Sequence, residues 1–324
     1  MNRALIIGVS GQDGYYLSRL LHDKQYEIYG TSLTHAEVSP DLTQILERVV
    51  VIDLNNSGNL RDLIQEIKPD EVYYLAAHHF SSQSGENRTG ELAPFVTVNL
   101  LAADDVLRAL VDYCNKCKFF YAASSHIFGL PETFPQNELT PQRPNTPYGI
   151  SKSAALHVCR YYREAFGLFT AVGILYNHES PRRGLSFITK QIARAAALAH
   201  RGMPQKLVIR SFDSVVDWGA AEDYVKAMWL TLQQSNGGEY IIASGVPHTV
   251  RNFVDAAFSH VGLNADEYIS QDESFVPSTQ APYVGDPSKI KKICGWEPSI
   301  SFEELVCSMV DNEIKQLQQT TDGE

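Results

Sequence analysis

Arg3-Ala4-Leu5-Ile6-Ile7-Gly8-Val9-Ser10-Gly11-Gln12-Asp13-Gly14 opens the chain and decides how the rest is read. Arg3 to Ile7 is a short apolar run, the pattern of a strand buried on both faces of a parallel sheet. Tyr15 to His22 then reads as a helix with Leu17, Leu20 and Leu21 turned inward. Between the two, glycines at 8, 11 and 14 let the backbone turn tightly and approach a pyrophosphate, whose charge is favoured at a helix N-terminus. Gly8, Ser10, Gly11, Gln12, Asp13 and Gly14 are therefore the candidate cofactor loop. A plain glycine turn would share the spacing, so the reading depends on what lies downstream.

Downstream lies Tyr148-Gly149-Ile150-Ser151-Lys152. A Tyr and a Lys four apart share one helix face, a turn from each other. There the ammonium is expected to lower the phenol's pKa by stabilising the phenolate. Ser124 and Ser125, delivered by the apolar strand Phe119 to Ala123, could hold a substrate alcohol beside that phenol. Tyr148 would take the alcohol's proton while a nicotinamide takes its hydride.

Further strands are expected at Tyr26 to Thr31, Val49 to Ile52, Glu71 to Leu75 and Thr170 to Leu175. Helical spacing lies between them, at Leu60, Leu63, Ile64 and Ile67 and from about Phe95 to Tyr113. This alternation predicts an α/β fold with a doubly wound parallel sheet. Asp53 could reach the adenine, with Leu54 beside it, and Leu75, Ala76 and Ala77 could line the cofactor, the two alanines being small enough for close approach. An acid at the end of the second strand would hold a free ribose 2′-hydroxyl, and an Arg a 2′-phosphate. Gly30-Thr31-Ser32-Leu33-Thr34-His35 has neither, which leaves NADP and NAD both open. The polar stretch His78 to Pro94 is longer than an ordinary connection and reads as a lid or flexible segment, where His78 and His79 could touch substrate.

A chain of 324 residues can bury a large core. Its net charge of -11 argues against nucleic acid or a membrane surface as partner. No apolar run approaches membrane-spanning length, and the N-terminus reads as a strand rather than a signal peptide, so the expected compartment is the cytoplasm. Cys114 and Cys117 form one C-x-x-C without a second pair or a nearby His, which reads as structural; no metal site is expected.

Taken together, these motifs resemble an extended short-chain dehydrogenase/reductase, and most closely the GDP-mannose 4,6-dehydratase family. The likeness runs nearly end to end, and its most specific part is Asn177-His178-Glu179-Ser180-Pro181-Arg182-Arg183-Gly184. It continues through Asp217-Trp218-Gly219, Asp223-Tyr224-Val225, Gly285-Asp286-Pro287-Ser288-Lys289 and Gly295-Trp296-Glu297-Pro298. The resemblance implies a Rossmann domain over 1–176, then a smaller lobe, mainly 177–317, for a nucleotide-diphosphate sugar. Within that lobe the chain is expected to cross back to the first domain, and 318–324 reads as a solvated tail. It implies a homodimer or homotetramer, cofactor contacts from Tyr148, Lys152, His178 and Arg183, and substrate contacts from Ser125 and Asn177. Arg182 and Arg183 could bind a 2′-phosphate at a subunit interface.

The resemblance also implies a chemistry. The sugar's C4 hydroxyl is oxidised, the C5 proton becomes acidic, the C6 hydroxyl leaves as water, and the hydride returns to C6. The family's Thr at C4 is Ser124 here, which keeps the hydroxyl; its Glu at C5 and C6 is His126. Imidazole can fill an acid/base role near neutral pH, so dehydration with His126 stands beside C4 redox or epimerisation without water loss. The family's Arg before Asp-Trp-Gly is Val216, and its Arg and Glu ahead of Gly285 align with Val276 and Thr279. A Lys expected near residue 191 falls on Gln191, next to Lys190. The diphosphate is then expected to rely on Lys190, Arg210, Arg251 or backbone. A non-catalytic dinucleotide-binding protein is the reading from another class; Ser124, Tyr148 and Lys152 argue against it, because a mere binder needs no catalytic helix face.

Overall fold

The computed structural model describes residues 1–56, 58–79, 91–274 and 282–321. Its centre is a seven-stranded parallel sheet built on β1 (Arg3–Ile7), which pairs with β2 (Glu27–Ser32) on one side and β4 (Glu71–Tyr74) on the other. β3 (Arg48–Val51) extends the sheet beyond β2, while β5 (Lys118–Ser124) and β6 (Phe169–Leu175) extend it beyond β4. The order reverses between β1 and β4, and ligands bind outside the carboxyl ends of strands at such a point.

Helices cover both faces. α1 (Gln12–Asp23) lies on one face; α2 (Gly58–Ile67) lies on the other and buries Leu60, Leu63, Ile64 and Ile67. α3 (Leu92–Val96) runs through a π-helical turn, Thr97–Leu101, into α4 (Ala102–Tyr113). α5 (Pro147–Phe166) is held at its start by Thr146, whose hydroxyl accepts from Gly149 N at 3.1 Å. Two starts differ from expectation. α1 begins at Gln12 rather than Tyr15, because Gly11 is already the extended cap residue, and the following helix begins at Leu92 rather than Phe95.

After β6 the chain builds a second core. β7 (Asn177–Glu179) leads to α6 (Ile188–His200), β8 (Leu207–Ile209) and β9 (Val215–Ala220). α7 (Ala221–Leu232) then returns to the face of α1, and β10 (Gly238–Ile242) pairs with β6 as the edge of the large sheet. β11 (Pro247–Thr249), α8 (Val250–His260) and β12 (Ile269–Gln271) go back to the smaller core. α9 (Ser288–Cys294) and the buried Trp296 pack on the α7 side, and α10 (Phe302–Thr321) closes the smaller core beside Trp218. α10 continues through residues 318–321, part of the stretch read as tail, which is a correction: the helix runs on to Thr321.

Candidate active site

Steric need fixes the glycine loop. Gly8 has φ +96°, and a Cβ there would lie 2.7 Å from Ala76 N; one on Gly14 would lie 2.5 Å from Gly8 O. The first glycine admits the Ala76 backbone and the third lets α1 dock on the turn. A Cβ on Gly11 would meet nothing nearer than 3.5 Å, so that residue leaves open space at the helix N-terminus. This cradle fits a dinucleotide pyrophosphate.

Gln12 and Asp13 tie the loop to the strand after β6. Gln12 Nε2 donates to His178 O at 3.0 Å, and Ser180 Oγ donates to Gln12 Oε1 at 2.7 Å. His178 holds Tyr176 O at 2.8 Å through Nδ1 and both Asp13 carboxylate oxygens at 3.0 Å through Nε2. Acceptors at both nitrogens favour the doubly protonated ring: burial opposes its charge, yet Asp13 raises the His178 pKa. Burial likewise works against the Asp13 carboxylate, and His178 holds its pKa below the usual value. Asp13 and His178 thus serve each other, and together they hold the loop in place.

Ser10 lies at the end of β2, where Ser32 Oγ donates to its hydroxyl at 3.0 Å. Sequence reasoning missed Glu37. Its Oε2 accepts from Ser10 Oγ and Ser32 Oγ, each at 3.4 Å, although it follows the strand by five residues. A short 3-10 turn, His35–Glu37, brings it back. Asp53 is exposed and bonded to Asn55, and the Leu54 side chain belongs to the core, as does that of Ala76 in part.

Across the switch point, α5 presents Tyr148 and Lys152 as the spacing predicts, but their electrostatics differ from expectation. Burial pushes the Tyr148 phenol up to about 12; a hydrogen bond with Ser124 and the charge of Arg183 only moderate this. Lys152 does not lower it. Its Nζ lies 5.8 Å from the Tyr148 ring centroid and donates instead to Ala122 O at 2.7 Å. Burial lowers Lys152 itself to about 7. Asn99, in the π-helical turn, is a second residue the sequence reading missed. Its amide donates to Ser151 Oγ and His78 O at 3.0 Å and accepts from His78 N at 2.9 Å, joining α5 to the strand end that precedes the long loop. A lone Asn between Val98 and Leu100 was the available signal.

Ser124 caps a 3-10 turn, Ser125–Phe128, by accepting from His126 N at 3.3 Å. Ser125 is buried within this turn. His126 meets Tyr148 edge-on with ring centroids 5.7 Å apart, so Ser124, His126 and Tyr148 converge. Gly149 permits it, since a Cβ there would lie 2.5 Å from His126 O. His79 stacks on Phe187 at 5.8 Å, near the same site.

The expected diphosphate cations are largely engaged elsewhere. Lys190 is buried, donates to Pro181 O at 2.7 Å and is ion-paired with the buried Glu313. Arg251 pairs with Asp255 and Asp266, both at 2.8 Å. Arg210 is exposed near Asp272, and Asn177 is exposed on β7. Arg183 pairs with Glu179 at 3.0 Å, and Arg182 lies 3.8 Å from the Tyr15 ring centroid. Ser10, Gln12, Arg182, Arg183, Lys190 and Asn312 line a groove of about 430 Å³ beside the glycine loop. Residues 276 and 279 lie outside the described residues, as does most of the long loop after His79.

The GDP-mannose 4,6 dehydratase family model matches residues 5–309. GDP-mannose 4,6 dehydratase 2 of Arabidopsis thaliana is 40% identical over 326 residues, covering 96% of this chain and 87% of that protein. Among solved structures, RMD from Pseudomonas aeruginosa complexed with NADPH superposes with a TM-score of 0.83 at 22% identity, covering 98% of this chain and 100% of that one. A Bacillus anthracis dTDP-glucose 4,6-dehydratase in complex with NAD gives 0.82 at 20% identity, covering 98% of each chain. Those two structures bear on the fold, which is shared over the whole length. The chain belongs to the GDP-mannose 4,6-dehydratase family of extended short-chain dehydrogenases/reductases, enzymes that work on nucleotide sugars with a nicotinamide dinucleotide.

Proposed function

We propose that this chain removes water from GDP-mannose or a related nucleotide-diphosphate sugar in the cytoplasm, with His126 in the place of the usual carboxylate. The observation that carries the reading is the meeting of Ser124, Tyr148 and His126 at the end of β5. NADP, with NAD the alternative, would be held by the glycine loop, Ala76 and Ala77, and Lys152. When bound, it would supply the hydride chemistry, as acceptor from C4 and donor to C6.

Ser124 holds the C4 oxygen, and Tyr148, whose phenol is protonated in the neutral range, takes the C4 proton as it releases its own toward Lys152. Lys152, lowered to about 7, can gain or lose a proton in the neutral range and so supports the phenol in this exchange. The C4 ketone acidifies C5. Burial keeps the His126 pKa below 6.5, so its imidazole begins neutral and can take the C5 proton. The resulting imidazolium gives that proton to the C6 hydroxyl, which leaves as water. The proton held by Tyr148 balances the one C5 regains on reduction. A homodimer or homotetramer is the expected assembly; Leu101, Tyr161 and Phe166 are large apolar side chains exposed on the π turn before α4 and on α5.

The test is product mass after incubation with GDP-mannose and a panel of other nucleotide sugars. Loss of one water supports dehydration. Loss of two hydrogens, or an unchanged mass with a new stereocentre, supports C4 redox or epimerisation, the reading favoured by the missing carboxylate. His126→Ala should block water loss by roughly 10²–10⁴-fold while C4 oxidation persists as a lasting reduced-cofactor absorbance. Dehydration at the wild-type rate in that variant would show His126 to be a bystander.

A further inference from the structure

His126 is gripped by two rings. Its imidazole stacks on Tyr283 with centroids 5.5 Å apart and planes 21° from parallel, and Tyr148 closes the edge at 75°. Among the described residues neither ring nitrogen has a hydrogen-bond partner. A half-buried ring oriented by aromatic planes alone keeps both nitrogens for something that arrives later.

Tyr283 is itself fixed. Its hydroxyl donates to Gly129 O, on the residue that closes the His126 turn. Gly129 has φ +63°, and a Cβ there would fall 1.7 Å from Arg143 O, so the acceptor sits on backbone with no room to shift. On either side, Gln136 Nε2 donates to Pro282 O at 3.1 Å and Gln136 N donates to Val284 O at 2.8 Å. The Tyr283 backbone bridges Val216 on β9, the position where a phosphate-binding Arg was expected. One residue therefore links the smaller core to the turn carrying His126.

We propose that Tyr283 is a positioning residue for His126, its ring setting the imidazole plane so that the free nitrogens face the sugar, and its backbone registering that plane against β9. The inference rests on His126 being the acid/base at C5 and C6. Among the described residues, the titratable groups facing the imidazole are the phenols of Tyr148, from α5, and Tyr283; burial lowers its pKa, with no contribution from a charged side chain among them. Burial also raises the Tyr283 pKa, so its hydroxyl remains a donor through the neutral range.

The test compares Tyr283→Ala and Tyr283→Phe in the full-length holoenzyme. Two readouts are used: histidine NMR titration of His126, and the pH profile of water loss. Tyr283→Ala opens the ring to water, so the His126 pKa should rise toward 6.5 and the acid limb of kcat should move up with it. A misplaced imidazole should slow water loss roughly 10–100-fold, with hydride transfer from C4 retained. Tyr283→Phe keeps the plane and should restore the titration and most of the rate. Wild-type titration in Tyr283→Ala overturns the proposal, and so does a Phe variant as impaired as the Ala variant. If Tyr283→Ala does not fold, the wild-type and Phe proteins decide: the His126 Hε1 resonance should be displaced upfield by the stacked ring in both, and an undisplaced resonance overturns the proposal. The two readings fail separately. If His126→Ala dehydrates normally, the catalytic role falls while the titration still tests Tyr283; if it does not, an unchanged titration removes Tyr283 alone.

Discussion

At the glycine loop, Asp13 gives both carboxylate oxygens to His178, and Gln12 is bonded to His178 and Ser180. At the end of β5, His126 lies between Tyr148 and Tyr283, with no hydrogen bond to its ring among the described residues. Both histidines are largely enclosed, yet their pKa values move in opposite directions. Burial lowers His126; it would lower His178 too, but the Asp13 carboxylate overrides it. The difference separates two kinds of site residue. His178 is spent inside the protein and stiffens the cradle, whereas His126 carries an unmet hydrogen-bonding capacity that a ligand can satisfy.

The largest expected effect lies where the two regions meet, at Tyr148. Tyr148→Phe removes the proton acceptor and keeps the ring against His126. Turnover should fall by at least about 10²–10⁴-fold, while cofactor affinity, measured by calorimetric titration, stays almost unchanged. Full turnover would mean that the phenol is part of the wall only. Next comes the histidine contrast itself. His178→Ala leaves a mostly enclosed Asp13 carboxylate without its main partner and should cost up to about 3–5 kcal/mol of unfolding free energy in denaturant titration. His126→Ala strands no charge and should cost much less. Equal losses would erase the distinction drawn between the two rings.

What could be read from the sequence follows the same divide. Gly8, Gly14 and the Tyr148/Lys152 pair obey local rules: a backbone that admits no Cβ, and one helical turn. Strand alternation gave the sheet for the same reason. Asn99, Glu37 and Tyr283 were not legible, because each reaches its partners through tertiary folding: a π turn, a 3-10 turn and a segment far along the chain. That Lys190 is engaged could not be read from the sequence, because its partner Glu313 lies on α10, more than a hundred residues away. The Tyr148 pKa was misjudged because spacing cannot show that Lys152 turns to Ala122 O.

Lys152 gives the redox end a pH signature of its own. Its pKa falls from 10.5 to about 7 on folding, chiefly through burial. Between those values the unfolded chain holds a proton that the folded chain lacks, so this group makes stability rise with pH. The slope is at most about 1.4 kcal/mol per pH unit. His178 acts oppositely: its raised pKa adds stability below 6.5 that is lost as pH climbs through the folded value. Unfolding free energies at pH 7.5 to 9, compared between wild type and Lys152→Met, isolate the lysine's share; the variant should lose the upward slope. Parallel curves would mean that Lys152 keeps its proton in the folded protein.

The smallest effect, and the one that extends the comparison to the adenosine end, concerns Glu37. Its carboxylate reaches Ser10 and Ser32 at the tip of β2, where a dinucleotide's ribose is read. Unlike Asp13, it is exposed, and it can turn from the two serine hydroxyls to a ligand. A carboxylate there can accept from a free 2′-hydroxyl and repels a 2′-phosphate. Glu37→Gln keeps the shape and removes the charge, so affinity for NADP should increase relative to NAD. Two charges a few ångströms apart in a solvated corner interact weakly, so the change in the ratio of dissociation constants should be about tenfold or less. It should shrink as salt is raised, because exposed charges are screened beyond about 10 Å at 0.1 M ionic strength and at shorter range above it. Titration of both dinucleotides into wild type and Glu37→Gln, at low and high salt, measures this directly. A ratio unmoved by the substitution would place the ribose out of reach of Glu37 and leave the choice between the two forms to the arginines at 182 and 183.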